Sequence, residues 1–221
     1  MAVHISDIYH NPNVGIFSKA TERALFMPVA YSEPKSERLA SLLGVKLIHA
    51  SVGGTRLLGP LMAANSNGIL LSRFAEEDEI IMLKRETGLK VQRLESPYTS
   101  VGNLVAVNDS GGVAGEMFSE EEVRQMKDVF GVPVVTGRVA GFSQLGAVVS
   151  ASNNGALAHP RASDAELKWL RESLRVECEV SSINGGVPFV SSGIIVNSRA
   201  AIVGTSTTGP ELFILGKAFK L

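Results

Sequence analysis

A repeat of about 44 residues, carried by two independent sets of markers, limits the fold of this chain more than any other feature. Helical patterns run over 37–43, 77–87, 120–130, 164–174 and 210–218. With ends at Gly44, Gly88, Gly131, Arg175 and Phe219, their steps are 44, 43, 44 and 44 residues. Three of them carry an apolar stripe that buries one face: Val123, Met126, Phe130; Leu167, Leu170, Leu174; and Leu212, Leu215, Phe219. The second offers Ile80 and Leu83. Ser119 with Glu122 and Ser163 with Glu166 have capping-box spacing, and Gly209-Pro210 puts proline at a helix start.

The second set of markers is a glycine opening an apolar stretch: Gly15, Gly59, Gly102, Gly146 and Gly193, at steps of 44, 43, 44 and 47. Turn-forming clusters follow in four units, beginning at Asn65, Asn108, Asn153 and Asn197, while the first unit has Lys19-Ala20-Thr21-Glu22 instead. After each of the first four helices an apolar run reads as a strand: 45–50, 89–94, 132–136 and 176–180. The fifth helix has no such run after it, but 3–8 stands ahead of the first glycine. The register is circularly shifted, so the first strand is expected in the sheet served by the last helix. An open solenoid would need polar caps, and neither end looks like one. The expectation is therefore one closed α/β ring over 1–221, with five units of three strands and a helix. The longer 47-residue step is expected to make 181–188 protrude.

Composition narrows the function. The net charge of −1 on 221 residues argues against a dedicated nucleic-acid clamp. A single cysteine excludes an intramolecular disulfide framework and a multi-thiolate zinc site, and it suits a reducing compartment. No signal peptide and no membrane span are read, so the expectation is a cytoplasmic protein. His4, His10, His49 and His159 form no metal-binding pair, and the glycines form no nucleotide fingerprint. Glu76-Glu77-Asp78-Glu79 is explained by its helix start. No metal, cofactor or catalytic residue is expected.

A five-fold α/β ring resembles the pentein fold, whose enzymes modify guanidino compounds through a cysteine. Cys178, within the apolar pattern Val176, Cys178, Val180, reads as a buried structural residue. The region where those enzymes place their nucleophile holds Thr205-Ser206-Thr207-Thr208-Gly209. A guanidino-modifying hydrolase or amidinotransferase using Cys178 is the alternative reading.

Several strings carry a closer resemblance: Asn13-Val14-Gly15, Ala50-Ser51-Val52-Gly53-Gly54, Gly102-Asn103 leading to Val107-Asn108-Asp109, 154–160, and Thr207-Thr208-Gly209-Pro210-Glu211-Leu212. In this order, along the whole chain, they resemble archaeal translation initiation factor 6, a ribosome anti-association family. That resemblance implies a pentein ring that binds the large (50S) ribosomal subunit, chiefly ribosomal protein uL14 near the sarcin-ricin loop. It prevents joining of the small (30S) subunit, with a role in large-subunit biogenesis, and it acts as a monomer without chemistry or membrane. Near-neutral charge fits a protein-dominated seat.

Two loop ends are expected, hairpin turns at one and the loops entering the glycine markers at the other. The second, with Arg56, Tyr98, Ser100, Gly102, Asn103, Phe142 and Asn184, is the expected ribosome-contacting end. Asn103 matches the family's functionally sensitive asparagine after the third-unit glycine. Eukaryotic members carry a basic residue where this chain has Pro60, and a C-terminal extension beyond the position of Leu221. Neither that contact nor regulation by such a tail is expected here.

Overall fold

The computed structural model describes residues 2–221. Met1 lies outside the described residues. Five three-stranded sheets surround one axis. In chain order the strands are β1 (Val3–Ser6), β2 (Lys19–Ala20), β3 (Ala24–Pro28), β4 (Lys46–Ala50), β5 (Met62–Ala64), β6 (Gly68–Leu71), β7 (Lys90–Arg93) and β8 (Val105–Val107). They continue as β9 (Gly112–Gly115), β10 (Val134–Gly137), β11 (Val149–Ala151), β12 (Ala156–Ala158), β13 (Cys178–Val180), β14 (Ile194–Val196) and β15 (Ala201–Gly204). The long helices are α1 (Glu33–Leu43), α2 (Glu77–Thr87), α3 (Glu120–Phe130), α4 (Asp164–Leu174) and α5 (Gly209–Phe219).

Each sheet has an antiparallel hairpin followed, through its helix, by a parallel strand. In the second unit Met62 pairs with Leu71, and Ile69 pairs with Val91. The fifth unit closes as expected, since β1 runs parallel to β15 with Val3 opposite Ala201 and Ser6 opposite Gly204. The last parallel partner thus comes from the first residues of the chain. The architecture is a five-fold pentein ring.

Each core lies between consecutive sheets. Ile80 and Leu83 of α2 pack with Ile69 and Leu71 of their own sheet and with Phe26 and Ile48 of the preceding one. Leu39 and Leu43 of α1 join Leu25 and Met27 to Ile195 and Ile202 of the fifth unit. Both faces of the central strands are therefore buried, which is why Ala24–Pro28 and Gly68–Leu71 are apolar runs rather than alternating patterns. Closing the ring removes the terminal faces that a solenoid would expose.

The expected helices form, with two differences. Helix α1 begins at Glu33, four residues earlier than the pattern suggests, with Pro34 in its first turn and Ser32 capping without a side-chain hydrogen bond. Lys35 stands where the other helices have the glutamate of a capping box, so the usual start signal is missing. Helix α5 ends one residue later, with Lys220 as its left-handed cap.

Polar turns lock neighbouring units together at the hairpin end. Asn108 Oδ1 accepts the N–H groups of Ser110 and Gly111, and its Nδ2 donates to the carbonyls of Ser152 and Leu174, the latter ending α4. Asn65 repeats this with Asn67, Gly68, Asn108 and Phe130. Asn197 repeats it with Arg199, Ala200 and Leu43. In the fourth unit Ser152, not Asn153, holds this position, with Asn154 N–H donating to its Oγ at 3.2 Å. In the first unit Lys19-Ala20 is strand and the turn begins at Thr21, whose Oγ1 accepts from Arg23 and Ala24.

Candidate functional site

At the centre of the ring, each unit contributes one short helical turn: Val14–Phe17, Leu58–Leu61, Val101–Leu104, Leu145–Val148 and Val190–Gly193. The second residue of each turn lies against the backbone of the unit before it. A Cβ on Gly59 would overlap the carbonyl oxygen of Gly15, one on Gly102 that of Gly59, and one on Gly146 that of Gly102. A Cβ on Gly15 would overlap Ser191 O, which completes the circle. Only glycine permits this approach in four units.

The fifth marker is therefore Ser191, not Gly193. The step from Gly146 to Ser191 is 45 residues, not 47, and Ser191 Oγ donates to Val149 O at 2.8 Å. The loop excess shrinks accordingly. The expected protrusion over 181–188 is one extra residue in a turn that also occurs elsewhere. Ile183 bridges Val187 four residues on, whereas Ile8, Val52 and Val139 bridge residues three positions on.

The residues after these markers, Ile16, Pro60, Asn103, Ala147 and Ser192, surround the loop end of the axis. With Phe142, Gln144 and Phe189 they line a depression of about 490 Å³. Asn103, Gly102 and Phe142 are thus brought together. Asn103 N–H is held by Ser100 O at 2.9 Å, while its half-buried side-chain amide has no hydrogen bond among the described residues. Phe142 and Phe189 meet edge to face at 5.5 Å, and the His159 ring lies 5.3 Å from Phe142. Burial, then the charge of Arg161, lowers the pKa of His159, and its Nδ1 accepts the N–H of Arg161.

The remaining expected residues sit further out. Arg56 stacks over Tyr9 at 4.8 Å. Tyr98, exposed at the rim, meets Phe118 edge to face at 5.6 Å. Asn184 is occupied inside the protein. Its Nδ2 donates to Pro12 O at 2.9 Å, and its Oδ1 accepts from Thr207 at 3.2 Å.

Four loops at this end share a turn with consecutive residues at positive φ: two in Tyr9-His10, Gly53-Gly54 and Ala140-Gly141, and three in Asn184-Gly185-Gly186. Carboxylates at the helix starts hold three of these turns. Glu79 accepts from Ser51 Oγ at 2.6 Å and from the N–H groups of Gly53 and Gly54. Glu211 accepts from Ser182, Gly185 and Gly186. Glu166 receives Ala140 N–H at 2.9 Å. The first unit has Lys35 at that position, and there Asp7 accepts from His10 N–H instead. Burial raises the Glu211 pKa, but hydrogen bonds from Thr208, Ser182, Gly185 and Gly186 outweigh it and leave it at about 2. Glu79 is lowered by the same balance.

Phe189 and Ser192 are the site residues that sequence reasoning missed. Phe189 occupies the position of Ser100 and Gln144 ahead of its turn, and aligning the fifth unit on Gly193 hides that correspondence.

Cys178 is 1% exposed, and burial pushes its thiol up to about 12. It is no accessible thiolate. Among the described residues no group of three or more His, Cys, Asp or Glu is placed to hold a metal ion, and no helix is long and apolar enough to cross a membrane.

The translation initiation factor 6 of Cenarchaeum symbiosum is 38% identical over 213 residues, covering 96% of each chain. That of Pyrococcus abyssi is 34% identical over the full length of both. Among solved structures, a dimethylarginine dimethylaminohydrolase carrying an S-methyl-L-thiocitrulline adduct aligns at 16% identity with a TM-score of 0.48, covering 76% of this chain and 69% of that one. Residues 3–218 match the eIF-6 family, and the chain is a member of that family of translation initiation factors.

Proposed function

We propose that this factor docks its loop end on the large (50S) ribosomal subunit and thereby prevents joining of the small (30S) subunit. A role in large-subunit biogenesis is part of the same reading. It acts from the cytoplasm as a monomeric closed ring over 1–221, making and breaking no bond. The observation that carries the proposal is the axial depression, where Asn103 presents a side-chain amide with no hydrogen-bond partner among the described residues, beside Phe142 and the exposed Phe189. A polar group in an apolar concavity suits a protein partner that supplies the matching hydrogen bond.

Arg56 and Tyr98 extend this surface at the rim, with Gly102 and Ser100 fixing the backbone beneath Asn103. Asn184 supports it from within. The partner chemistry is that of ribosomal protein uL14 near the sarcin-ricin loop. A net charge of −1 favours a protein seat over phosphate-driven binding. Because the factor binds only the free large subunit, its affinity is a free-energy penalty that subunit joining must overcome.

Cosedimentation with separated subunits tests this directly. Migration with 50S particles and a smaller joined-ribosome peak are expected. A factor that stays at the top of the gradient and leaves that peak unchanged would refute the reading. Guanidino chemistry through Cys178 finds no support in a thiol buried in the fourth core.

A further inference from the structure

A cavity of about 80 Å³ lies on the ring axis beneath the depression just described. Its loop-end lining includes Asn103, which also lines that depression. At the other end Ala20, Ala64, Val107, Ala151 and Val196 line both the cavity and a narrow mouth that holds Glu22 and Asp109. The side chains between are mostly small or apolar, while the greater part of the exposed wall is polar.

Lys19 is the one charged side chain among the cavity's lining residues. It lies four residues after the Gly15 marker. The corresponding positions in the other units are Ala63, Ala106, Ser150 and Ile195, so the repeat builds its inner wall four times without a cation. Lys19 forms no ion pair or hydrogen bond through its ammonium with any described residue, unlike Lys46, Lys90 and Lys217, which pair with Glu86, Asp128 and Glu179. Burial lowers its pKa to about 8, so at neutral pH the ammonium form still prevails. Lys19 is half-buried, and an ammonium withdrawn from water without a partner among the described residues is unfavourable there. A counter-ion offsets that cost.

The cavity offers partners for one. The Ser150 hydroxyl and the Asn103 amide line it, and neither side chain bonds within the protein among the described residues. Both can donate to an anion. Size and charge select its class. At roughly 10–15 Å³ per water-sized probe the volume holds a small ion with a few waters. A single cation balances a single negative charge, and the carboxylates of Glu22 and Asp109 oppose a multivalent anion at the mouth. We propose that the axial cavity is a binding site for one small monovalent inorganic anion, of the halide class, held against the Lys19 ammonium with Ser150 and Asn103 as further donors. The anion ties the first unit to the third and fourth across the axis. This inference does not depend on the ribosome reading.

Crystals grown with gluconate as the only anion and then soaked in sodium bromide test it. The expected result is a bromide anomalous peak inside the cavity, within hydrogen-bonding reach of Lys19 Nζ. Its absence, with only water density there, would overturn the proposal. In solution, replacing gluconate by chloride or bromide at constant ionic strength should raise the Tm until saturation, because an anion that binds only the folded ring stabilises it. K19M should abolish this anion-specific rise, and S150A should move its midpoint to several-fold higher anion concentration. Equal Tm values in gluconate and chloride, or the same rise in K19M, would also overturn it. If K19M fails to fold, the bromide map of the unaltered protein and the S150A titration still decide.

Discussion

The carbonyl oxygen of Gly102 occupies the space that a Cβ on Gly146 would need. The same relation links Gly59 to Gly102 and Gly15 to Gly59, so the ring is held at its axis by backbone against backbone. Its stability therefore depends on hydrogen atoms at four positions where any side chain would force neighbouring units apart.

Gly146→Ala should cost about 2 kcal/mol or more by overpacking, a fall in Tm of roughly 4–8 °C for a chain of this size. Ser191→Gly removes a CH2OH side chain whose hydroxyl donates to Val149 O and should cost about 1 kcal/mol. Thermal melting of the two variants compares them. A Gly146→Ala protein as stable as the parent would contradict the close approach.

Asn103→Ser should weaken binding to 50S particles by about tenfold or more, the loss expected for a central interface residue. Its Tm should stay within roughly 2 °C of the parent, because the amide bonds no group among the described residues. Quantitative cosedimentation and a melting curve on the same preparation separate this from a structural role. Lost stability with unchanged binding would reverse the assignment.

Asn108→Ala leaves two buried carbonyls and two turn N–H groups without their partner. The expected loss is on the order of 2–4 kcal/mol, with 50S affinity at low temperature unchanged because the hairpin end lies away from the proposed contact. Denaturant unfolding measures the first quantity, cosedimentation the second.

Glu211 is held ionised in the fold, with a pKa of about 2 against an ordinary value of 4.5. A depressed folded pKa gives stability that is present above the unfolded value and lost as protons bind. Acid should therefore weaken the fold between about pH 4.5 and 2, and Glu79, lowered in the same way, adds to the loss. Glu211→Gln should be less stable at pH 7 and show a shallower decline over that window in denaturant titrations. An unchanged slope would remove Glu211 from the acid response.

Much of this architecture can be read from the chain alone. The stripe Leu167, Leu170, Leu174 is buried throughout, and Ser119 with Glu122 forms the capping box that its spacing predicts. The placement of 3–8 ahead of the first glycine marker correctly predicts pairing of the first strand with the last unit. Of the expected site residues, Asn103, Gly102 and Phe142 converge on the axis, Arg56 and Tyr98 face the rim, and the Asn184 amide turns inward to Pro12.

Periodicity, caps and turn residues report preferences within a few positions of one another, so the sequence by itself determined the repeat, the helices and the closure of the ring. Only the tertiary structure showed that Ser191 rather than Gly193 completes the axial circle, since that depends on contact with Gly15, 176 positions earlier in the chain. It likewise placed Phe189 beside Phe142 and left Lys19 lining the axial cavity. Closure brings these residues together across units, and their free energies depend on the space and charge found there, which no local pattern encodes.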